Sequence, residues 1–353
     1  MELEFKPDFE KVRQSWSTFW KGENIRPLVS IVLPKEGVKP VPHPPYLEGR
    51  DGNFKPIIDQ LLAYAETHEF LGEAIPYFTL EWGPNTFSSY LGADLVFMSG
   101  TSWAVPFVED WDDAEIRFRR DSYWWQLTVD MIHAIRSRCD GKLLINPPTL
   151  VANLDSLAAI RGNERLLIDL VECPDKIKRA LDQVCSAHTE ILEAYAQLLD
   201  FDTYGSINVG GMYTTGRQSR PQCDMSCMIS QRMFREFVIP CLKHEAADVD
   251  AMDYHLDGPG AIQHLEALCE IEELDTISWV PGSGEGQTQD WTSLRKKIDA
   301  LGKGQTLWAS HEDIKRLWKE YKSRKLFFYT TATSRSDAED FLMELETIDK
   351  QGE

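Results

Sequence analysis

The stretch AMDYHLDGPGAIQHLEALCEIEELDTISWVP (251–281) decides the fold class of this chain. It contains two short runs rich in β-branched and aromatic residues, 251–257 and 275–281, and between them a segment with helical periodicity, 259–271. A strand, a helix and a second strand in this order form the unit of a parallel sheet covered by helices. We therefore predict an α/β protein.

The same alternation recurs along the whole chain. Apolar runs that predict strands occur eight times, as PLVSIVL (27–33), DLVFMS (94–99), KLLINP (142–147), YGSINVG (204–210), AMDYHLD (251–257), DTISWVP (275–281), QTLWAS (305–310) and KLFFYTT (325–331). Helical periodicity marks the segments 54–72, 122–138, 174–199, 230–249, 259–271, 290–302, 311–323 and 335–348. Eight strands with helices between them predict a (β/α)8 TIM barrel. It would occupy residues 1–353 as a single domain, with an N-terminal helical extension over 1–25.

Motifs that bind nucleotides or mark common hydrolases are absent from the sequence. No GxGxxG follows the first strand, and the Gly-rich GSGEG (282–286) has the wrong spacing for a dinucleotide loop. Walker loops, GxSxG elbows and HExxH motifs are absent too. We therefore expect no nucleotide cofactor, and an open doubly wound sheet is a weaker alternative than the barrel.

The charge and the cysteine content limit the partners and the compartment. With 37 Lys and Arg against 57 Asp and Glu, the 353-residue chain has a net charge of −20 and a pI near 4.8. Such an acidic chain is poorly suited to nucleic acid or an anionic membrane. The N-terminus carries acids where a signal peptide would be basic, and the seven cysteines are an odd number. We expect a cytoplasmic protein with free thiols and no membrane association.

Polar and aromatic side chains collect at the ends of the predicted strands. A barrel brings these ends together in one mouth, where active sites form. The residues at these ends are Asn146, Tyr204, Asn208, His255, Asp257, Trp279, His311, Tyr329 and Thr330. Asn146 and Asn208 are candidates to bind a substrate, and Trp279 is the tryptophan best placed to stack on a planar ligand.

His255 and Asp257 form the sharpest candidate pair. Residues two apart on a strand project to the same side, so an imidazole and a carboxylate would converge. Such a pair can bind a divalent metal or act as an acid/base couple. The alternative is that Asp257 caps the helix that follows Gly258 and Pro259, while His255 bonds a neighbour.

Two further segments contain candidate site residues. Cys223 and Asp224 precede a helix predicted to begin at Ser230, and a thiolate near a helix N-terminus suits a zinc ligand or a nucleophile. A small buried cysteine is the favoured alternative for Cys223. Asp224 can equally bind substrate or cap the turn. Glu81 and Trp82 lie on a turn and are candidates for substrate binding.

Three segments resemble the uroporphyrinogen decarboxylase superfamily: NLDSLAAIRGNERLLIDLVECPDKIKRALD (153–182), CDMSCMISQRMFREFVIPCLK (223–243) and YHLDGPGAIQHLEALCEIEELDTISWVPGSG (254–284). The superfamily contains decarboxylases and the zinc methyltransferases that serve corrinoid proteins. The resemblance implies a (β/α)8 barrel. The Arg-rich RQAGRY motif of the true decarboxylases is absent from RPLVSIVLPKEGVKP (26–40), which makes uroporphyrinogen itself an unexpected substrate.

The resemblance also implies a metal site. The corrinoid-linked methyltransferases carry a His-x-Cys motif where this chain has His255-Leu256-Asp257, and a late cysteine where YTTATSR (329–335) has none. By this resemblance zinc, or another divalent metal, would be held by His255 and Asp257 with Cys223 or Glu81 as a third ligand.

Three hypotheses for the function remain open at this point. The first is a methyltransferase-like enzyme in which a metal at His255 activates a small substrate for one-carbon transfer, with a corrinoid protein as partner. The second is a metal-free decarboxylase or lyase acting on a small carboxylate, with His255 and Asp257 as acid/base pair and Tyr204 or Tyr329 as proton donor. The third is a barrel that only binds a ligand.

Two other segments, the loop after the first strand and the first helix, also have predicted positions. Residues 34–52 are rich in Pro and Gly and predict a long surface loop, a candidate lid over the strand ends. The aromatic residues Trp16, Phe19 and Trp20 lie on the first helix and are expected to cover the bottom of the barrel. A dimer contact is the alternative, so the protein is expected to be a monomer or a homodimer.

Overall fold

The computed structural model describes residues 2–45, 47–282 and 284–348. Its strands are β1 Leu28–Pro34, β2 His68–Gly72, β3 Tyr77–Thr79, β4 Leu95–Met98, β5 Thr101–Ala104, β6 Leu144–Asn146, β7 Ser206–Ile207, β8 Tyr213–Thr214, β9 Gln218–Ser219, β10 Ala251–Asp257, β11 Thr276–Val280, β12 Gly304–Trp308 and β13 Leu326–Tyr329.

Helices lie between most of these strands. They are α1 Phe9–Lys21, α2 Lys55–Thr67, α3 Thr86–Tyr90, α4 Tyr123–Cys139, α5 Leu154–Arg161, α6 Asn163–Glu172, α7 Pro174–Leu199, α8 Phe201–Tyr204, α9 Gln231–Met233, α10 Ile239–Ala247, α11 Leu265–Cys269, α12 Thr292–Ala300, α13 His311–Glu320 and α14 Arg335–Leu345. A π-helical segment, Phe234–Val238, joins α9 to α10.

Seven strands form the main sheet in the order β2-β1-β13-β12-β11-β10-β9. All neighbours in it are parallel except β2, which is antiparallel to β1. A second parallel pair joins β3 to β6, and β7 pairs antiparallel with β8. The predicted α/β class with a parallel sheet is confirmed. Within the described residues the ladders form separate sheets rather than one continuous ring.

The strand predicted at 94–99 is present as β4, but it does not belong to the parallel repeat. These residues form an antiparallel hairpin, β4 with β5, whose tight turn contains Gly100 at a φ of 79°. The strand that pairs in parallel with β6 is instead β3. The helix predicted over 54–72 also ends earlier than expected, at Thr67, and the chain then extends into β2.

The first helix covers the starts of several strands. Trp16 and Phe19 of α1 are fully buried, and the Trp16 ring meets Phe327 edge-on at 4.8 Å between centroids. Leu28 at the start of β1 and Leu144 at the start of β6 belong to the same apolar cluster. This packing agrees with the expectation that the aromatic face of the helix covers the bottom of the sheet structure. The helix ends at Gly22, whose left-handed conformation suits a glycine.

Serine caps begin two of the predicted helices. Ser230 accepts a hydrogen bond from the Met233 N–H, and Ser310 accepts one from the Asp313 N–H at 3.2 Å. Both caps satisfy backbone donors that the first helical turn leaves without partners. No helix of the described residues is both long enough and apolar enough to span a membrane.

Replacing Ser310 with Ala should lower the free energy of unfolding by about 0.5–2 kcal/mol, because the N-terminus of α13 loses its cap. Urea denaturation followed by circular dichroism measures the change. Ser310→Thr keeps the hydroxyl and serves as the control. An alanine variant as stable as the wild type would contradict the capping role.

Candidate functional site

Three neighbouring cavities, which share some of their lining residues, lie near the ends of the parallel strands. The aromatic lobe, about 1000 Å³, is bordered by Trp308 and Tyr329, the last residues of β12 and β13. The acid lobe, about 990 Å³, is bordered by Glu81 and Thr149. The inner chamber, about 470 Å³, shares Thr149 with the acid lobe and contains Arg220 in its wall. The two lobes share His43 and Thr79, and the inner chamber adjoins the acid lobe at Thr149; the three cavities together are called the cleft below. The carboxyl ends of parallel strands are the usual position of active sites in α/β proteins.

The loop after β1 contributes to the walls of this cleft. His43 lines both the acid and the aromatic lobes, and Pro44 and Pro45 line the acid lobe. The His43 ring packs against Tyr64, and its Nε2 lies 3.4 Å from the Tyr77 carbonyl oxygen. The predicted surface loop thus lies over the strand ends in this conformation.

Arg220 and Asp253 form the central ion pair of the cleft. The Asp253 side chain is 1% exposed and accepts hydrogen bonds from the hydroxyls of Thr276 (2.7 Å) and Ser278 (2.8 Å). Arg220 Nη1 lies 3.1 Å from Asp253 Oδ2. The two atoms form an ion pair, and Nη1 makes no hydrogen bond to other described residues. A Cβ at Gly210 would lie too close to the same Nη1, so a larger residue there would force the guanidinium to shift.

His255 lies beside this pair on the same face of β10. Its Nδ1 is 3.4 Å from Arg220 Nη2 and its Nε2 is 4.0 Å from Asp257 Oδ2. Burial, reinforced by the Arg220 charge, lowers the pKa of His255 below its usual value, against the pull of Asp257 and Asp253. The imidazole is therefore neutral near pH 7. If Nδ1 accepts from Arg220, the proton resides on Nε2.

Arg220→Met should raise the pKa of His255, because the substitution removes a nearby positive charge and leaves Asp253 unpaired. A histidine titration by NMR measures the change. Arg217→Met is the matched control, since Arg217 pairs with Glu193 and does not contact His255. An unchanged titration of His255 in Arg220→Met would contradict the electrostatic coupling.

Glu81 is the carboxyl group of the acid lobe. Its Oε1 accepts hydrogen bonds from the Trp82 N–H (3.0 Å) and the Thr86 hydroxyl, and its Oε2 accepts one from the Thr149 N–H (3.1 Å). Protein atoms surround it on most sides, and this burial raises the pKa of Glu81 to about 7 despite the hydrogen bonds. No Lys or Arg forms an ion pair with it in the part of the chain that the structure describes. Glu81 can therefore hold or release a proton near neutral pH.

Two tyrosines connect the aromatic lobe to the segment after β7. Tyr77 donates its hydroxyl proton to the Val209 carbonyl (2.9 Å), and Tyr329 donates to the Gly210 carbonyl. Burial raises the pKa of Tyr77 to about 12 and that of Tyr329 further. The hydroxyl of Tyr329 thus already donates its hydrogen bond to a backbone carbonyl. The role of Tyr329 as a proton donor stays a prediction.

Both predicted asparagines lie in the wall of the inner chamber. Asn146 is buried at the end of β6. Asn208 is 5% exposed, and its Oδ1 accepts from the N–H groups of Gly210 and Met212. Its Nδ2 is buried and has no hydrogen-bond partner. The structure thus places both residues where they were expected, at the strand ends.

Three other predicted site residues lie outside the cleft. Trp82 is buried and donates its indole N–H to Thr128. Trp279 packs edge-on against Trp291, because the alternating residues Thr276 and Ser278 take the face of β11 toward Asp253. Tyr204 ends the short helix α8, so it precedes β7 rather than following it.

Tyr204 instead lines a separate pocket, together with Arg136 and Asp140. Burial, with a contribution from Asp140, raises its pKa. The expected positions of Trp279 and Tyr204 at the mouth are therefore corrected by the structure, and Trp82, predicted on a turn, is buried away from the cleft.

Cys223 and Asp224 lie at the start of a 3-10 turn, Asp224–Met228. The buried Cys223 thiol faces Asp155, and burial together with this carboxylate raises its pKa well above the usual range. Asp155 accepts hydrogen bonds from the backbone N–H groups of Asp224 and Met225. Burial and the nearby Asp257 raise the pKa of Asp224.

The residues expected to bind a metal do not form a three-ligand site. No group of three His, Cys, Asp or Glu side chains among the described residues could hold a metal ion. Cys223 faces Asp155, whereas His255 faces Arg220. The 4.0 Å between His255 Nε2 and Asp257 Oδ2 exceeds the roughly 3.4 Å that tetrahedral zinc bonds of about 2.1 Å would give. The donor set present does not fit zinc.

Three residues of the cleft were missed by sequence reasoning. Asp253 could have been found, because it is two residues before His255 on the same strand face. Tyr77 could have been found once 77–79 was recognised as a strand. Arg220 follows the two-residue strand β9 and carries no periodic signal.

The comparisons with known proteins concern the fold. No protein-family model matches the sequence, and no curated protein is significantly similar to it. Among solved structures, a methyltransferase from Methanosarcina mazei superposes with a TM-score of 0.58, covering 95% of this chain and 97% of that one at 13% sequence identity. The two chains thus share an architecture over nearly their whole length.

Proposed function

We propose that the protein is a methyltransferase-like enzyme that transfers a one-carbon group between a small molecule in the cleft and a corrinoid carried by a partner protein. The observation that carries this proposal is Glu81, a carboxyl group in the wall of the acid lobe with a pKa of about 7. Groups with such a pKa are suited to general acid/base work at neutral pH. The methyltransferase with a similar fold supports the class of reaction.

The proposal includes a closed (β/α)8 barrel. Its eight strands would be β1, β3, β6, β7, β10, β11, β12 and β13. The apolar cluster under α1 supports this arrangement, because it gathers residues from the starts of β1, β6, β7 and β13. Strand ends that meet in this way would bring Glu81, Arg220 and His255 to one mouth.

Proton transfer is the part of the reaction assigned to this chain. A heteroatom that gives up a methyl group keeps the electron pair of the broken bond and must take up a proton. Protonated Glu81 would donate that proton, and in the reverse direction the carboxylate would accept it. Neutral His255 would donate a hydrogen bond from Nε2 to the substrate, and Arg220 would fix its orientation. The corrinoid supplies the methyl acceptor when bound.

The test supplies cob(I)alamin as methyl acceptor with a panel of O-, N- and S-methylated small molecules, both charged and neutral. Absorbance reports methylcobalamin, and mass spectrometry reports the demethylated product. We expect both products from at least one compound, and neither in the absence of the protein. A panel that gives no methylcobalamin would contradict the proposal.

A metal-free lyase acting on a small carboxylate is the second candidate. The observation that favours it is the Arg220 guanidinium, held by Asp253 beside a neutral His255. Loss of carbon dioxide leaves a carbanion, and Glu81 would protonate that carbon. Release of carbon dioxide from carboxylates of the same panel without cobalamin would support this candidate over the first.

A further inference from the structure

Three residues that line the inner chamber have buried side-chain nitrogens without a hydrogen bond. These atoms are Arg220 Nη1, Asn208 Nδ2 and His188 Nδ1. Asn208 and His188 are both more than nine-tenths buried. Arg220 Nη1 has Asp253 Oδ2 3.1 Å away, and His188 Nδ1 is a donor in only one tautomer, so the Asn208 amide is the unsatisfied donor. Leaving a buried donor unsatisfied costs about 1–3 kcal/mol, so this amide, beside the Arg220 cation, indicates a ligand that accepts hydrogen bonds there.

We propose that the substrate is a monocarboxylate whose carboxylate enters the inner chamber and accepts hydrogen bonds from Arg220 and Asn208. The inference rests on the proposed function in taking this cleft as the active site. Arginine and amide donors match the two oxygens of a carboxylate, and a bond to a charged group is the stronger kind. The nearby carboxylates of Asp253 and Glu245 disfavour a dianion such as phosphate, because a second negative charge would be repelled.

The rest of the substrate would lie in the two larger lobes. The inner chamber, about 470 Å³, is half the size of either lobe and suits an end group. The aromatic lobe offers the Trp308 ring, 71% exposed and stacked on Tyr329 at 5.1 Å between centroids. Such a surface favours a planar or aromatic body. The reacting group would then lie in the acid lobe near Glu81.

The test measures binding alone, with 4-methoxybenzoate and its neutral amide, 4-methoxybenzamide, titrated into the full chain by calorimetry. We expect the acid to bind about 10–100-fold more tightly than the amide, as a charge-assisted hydrogen bond contributes about 1.5–3 kcal/mol. Equal affinities, or no binding of either compound, would overturn the proposal. Inorganic phosphate that displaces the benzoate at equal concentration would also overturn it.

Two variants locate the carboxylate. Arg220→Met should weaken the binding of 4-methoxybenzoate about 10–100-fold and leave the affinity for 4-methoxybenzamide unchanged. Asn208→Asp keeps the acceptor oxygen that Gly210 and Met212 require but replaces Nδ2 with a negative oxygen, so it should also exclude the acid. Arg217→Met, which affects a surface pair with Glu193, is the control. If 4-methoxybenzoate bound both variants as tightly as the wild type, its carboxylate would lie outside the inner chamber, and the inference would be overturned.

The outcomes separate the inference from the proposed function. Selective binding of the acid without any methylcobalamin in the turnover assay would retain the carboxylate site and reject methyl transfer. Turnover of a neutral methylated compound, with no preference for the acid, would retain methyl transfer and reject the carboxylate site.

Discussion

Glu81→Gln should lower turnover on the order of 10²–10⁴-fold, the usual contribution of a general acid or base. The amide keeps the size of the side chain, and its oxygen can still accept from Trp82 and Thr86, so only the hydrogen bond from the Thr149 N–H is lost. It has no proton to exchange with the substrate. The cobalamin assay, with circular dichroism as a check on folding, measures the effect.

The pH profile tests the same role independently. Because protonated Glu81 is the acid and its pKa is about 7, wild-type turnover should fall as the pH rises through about 7. The residual activity of Glu81→Gln should not show this fall in turnover with rising pH. Glu69→Gln, which alters an ion pair with Arg335, is the control and should retain full turnover. A loss of less than tenfold in Glu81→Gln would contradict the assignment.

Asp253→Ala should lower the free energy of unfolding by about 3–5 kcal/mol, the usual cost of breaking a buried ion pair. The change leaves Arg220 buried without its carboxylate and removes the acceptor of the Thr276 and Ser278 hydroxyls. Urea denaturation followed by tryptophan fluorescence measures this loss.

Asp257→Ala is the matched control. Asp257 lies on the same face of β10, four residues later, but its side chain is 42% exposed. Its loss should change stability by less than about 1 kcal/mol. Comparable losses in the two variants would show that position on the strand, and not the buried pair, sets the cost.

The part of the fold that sequence patterns predict best is the segment 251–331. Its runs are long, apolar and separated by clear helical periods, so the four strands β10 to β13 were found close to their true bounds. β3 was not found, because it has three residues and follows Pro76. Short strands of this kind are set by pairing with a partner such as β6, which the local sequence does not encode.

The candidate site was predictable where strand position and residue type agree. His255, Asp257, Asn146 and Asn208 end strands or follow them, and the structure places them there. The position of Trp279 was predicted wrongly, because lying at the end of a strand does not determine which face of the sheet a side chain occupies. Arg220 reaches Asp253 and His255 across more than thirty residues of sequence, and no spacing rule joins them.

The helix α1 has a consequence for the synthesis of this protein. Trp16 packs on Phe327. The first of these residues is synthesised early in translation, and its partner is synthesised near the end. At about 5–20 residues per second, translation of the intervening chain takes on the order of 15–60 s. During this time the apolar face of α1 lacks its partner on β13, although Leu28, Leu144 and Tyr213 of the same cluster are synthesised earlier. The nascent chain should therefore depend on chaperones until β13 is complete, and removal of α1 should lessen that dependence at the expense of native stability.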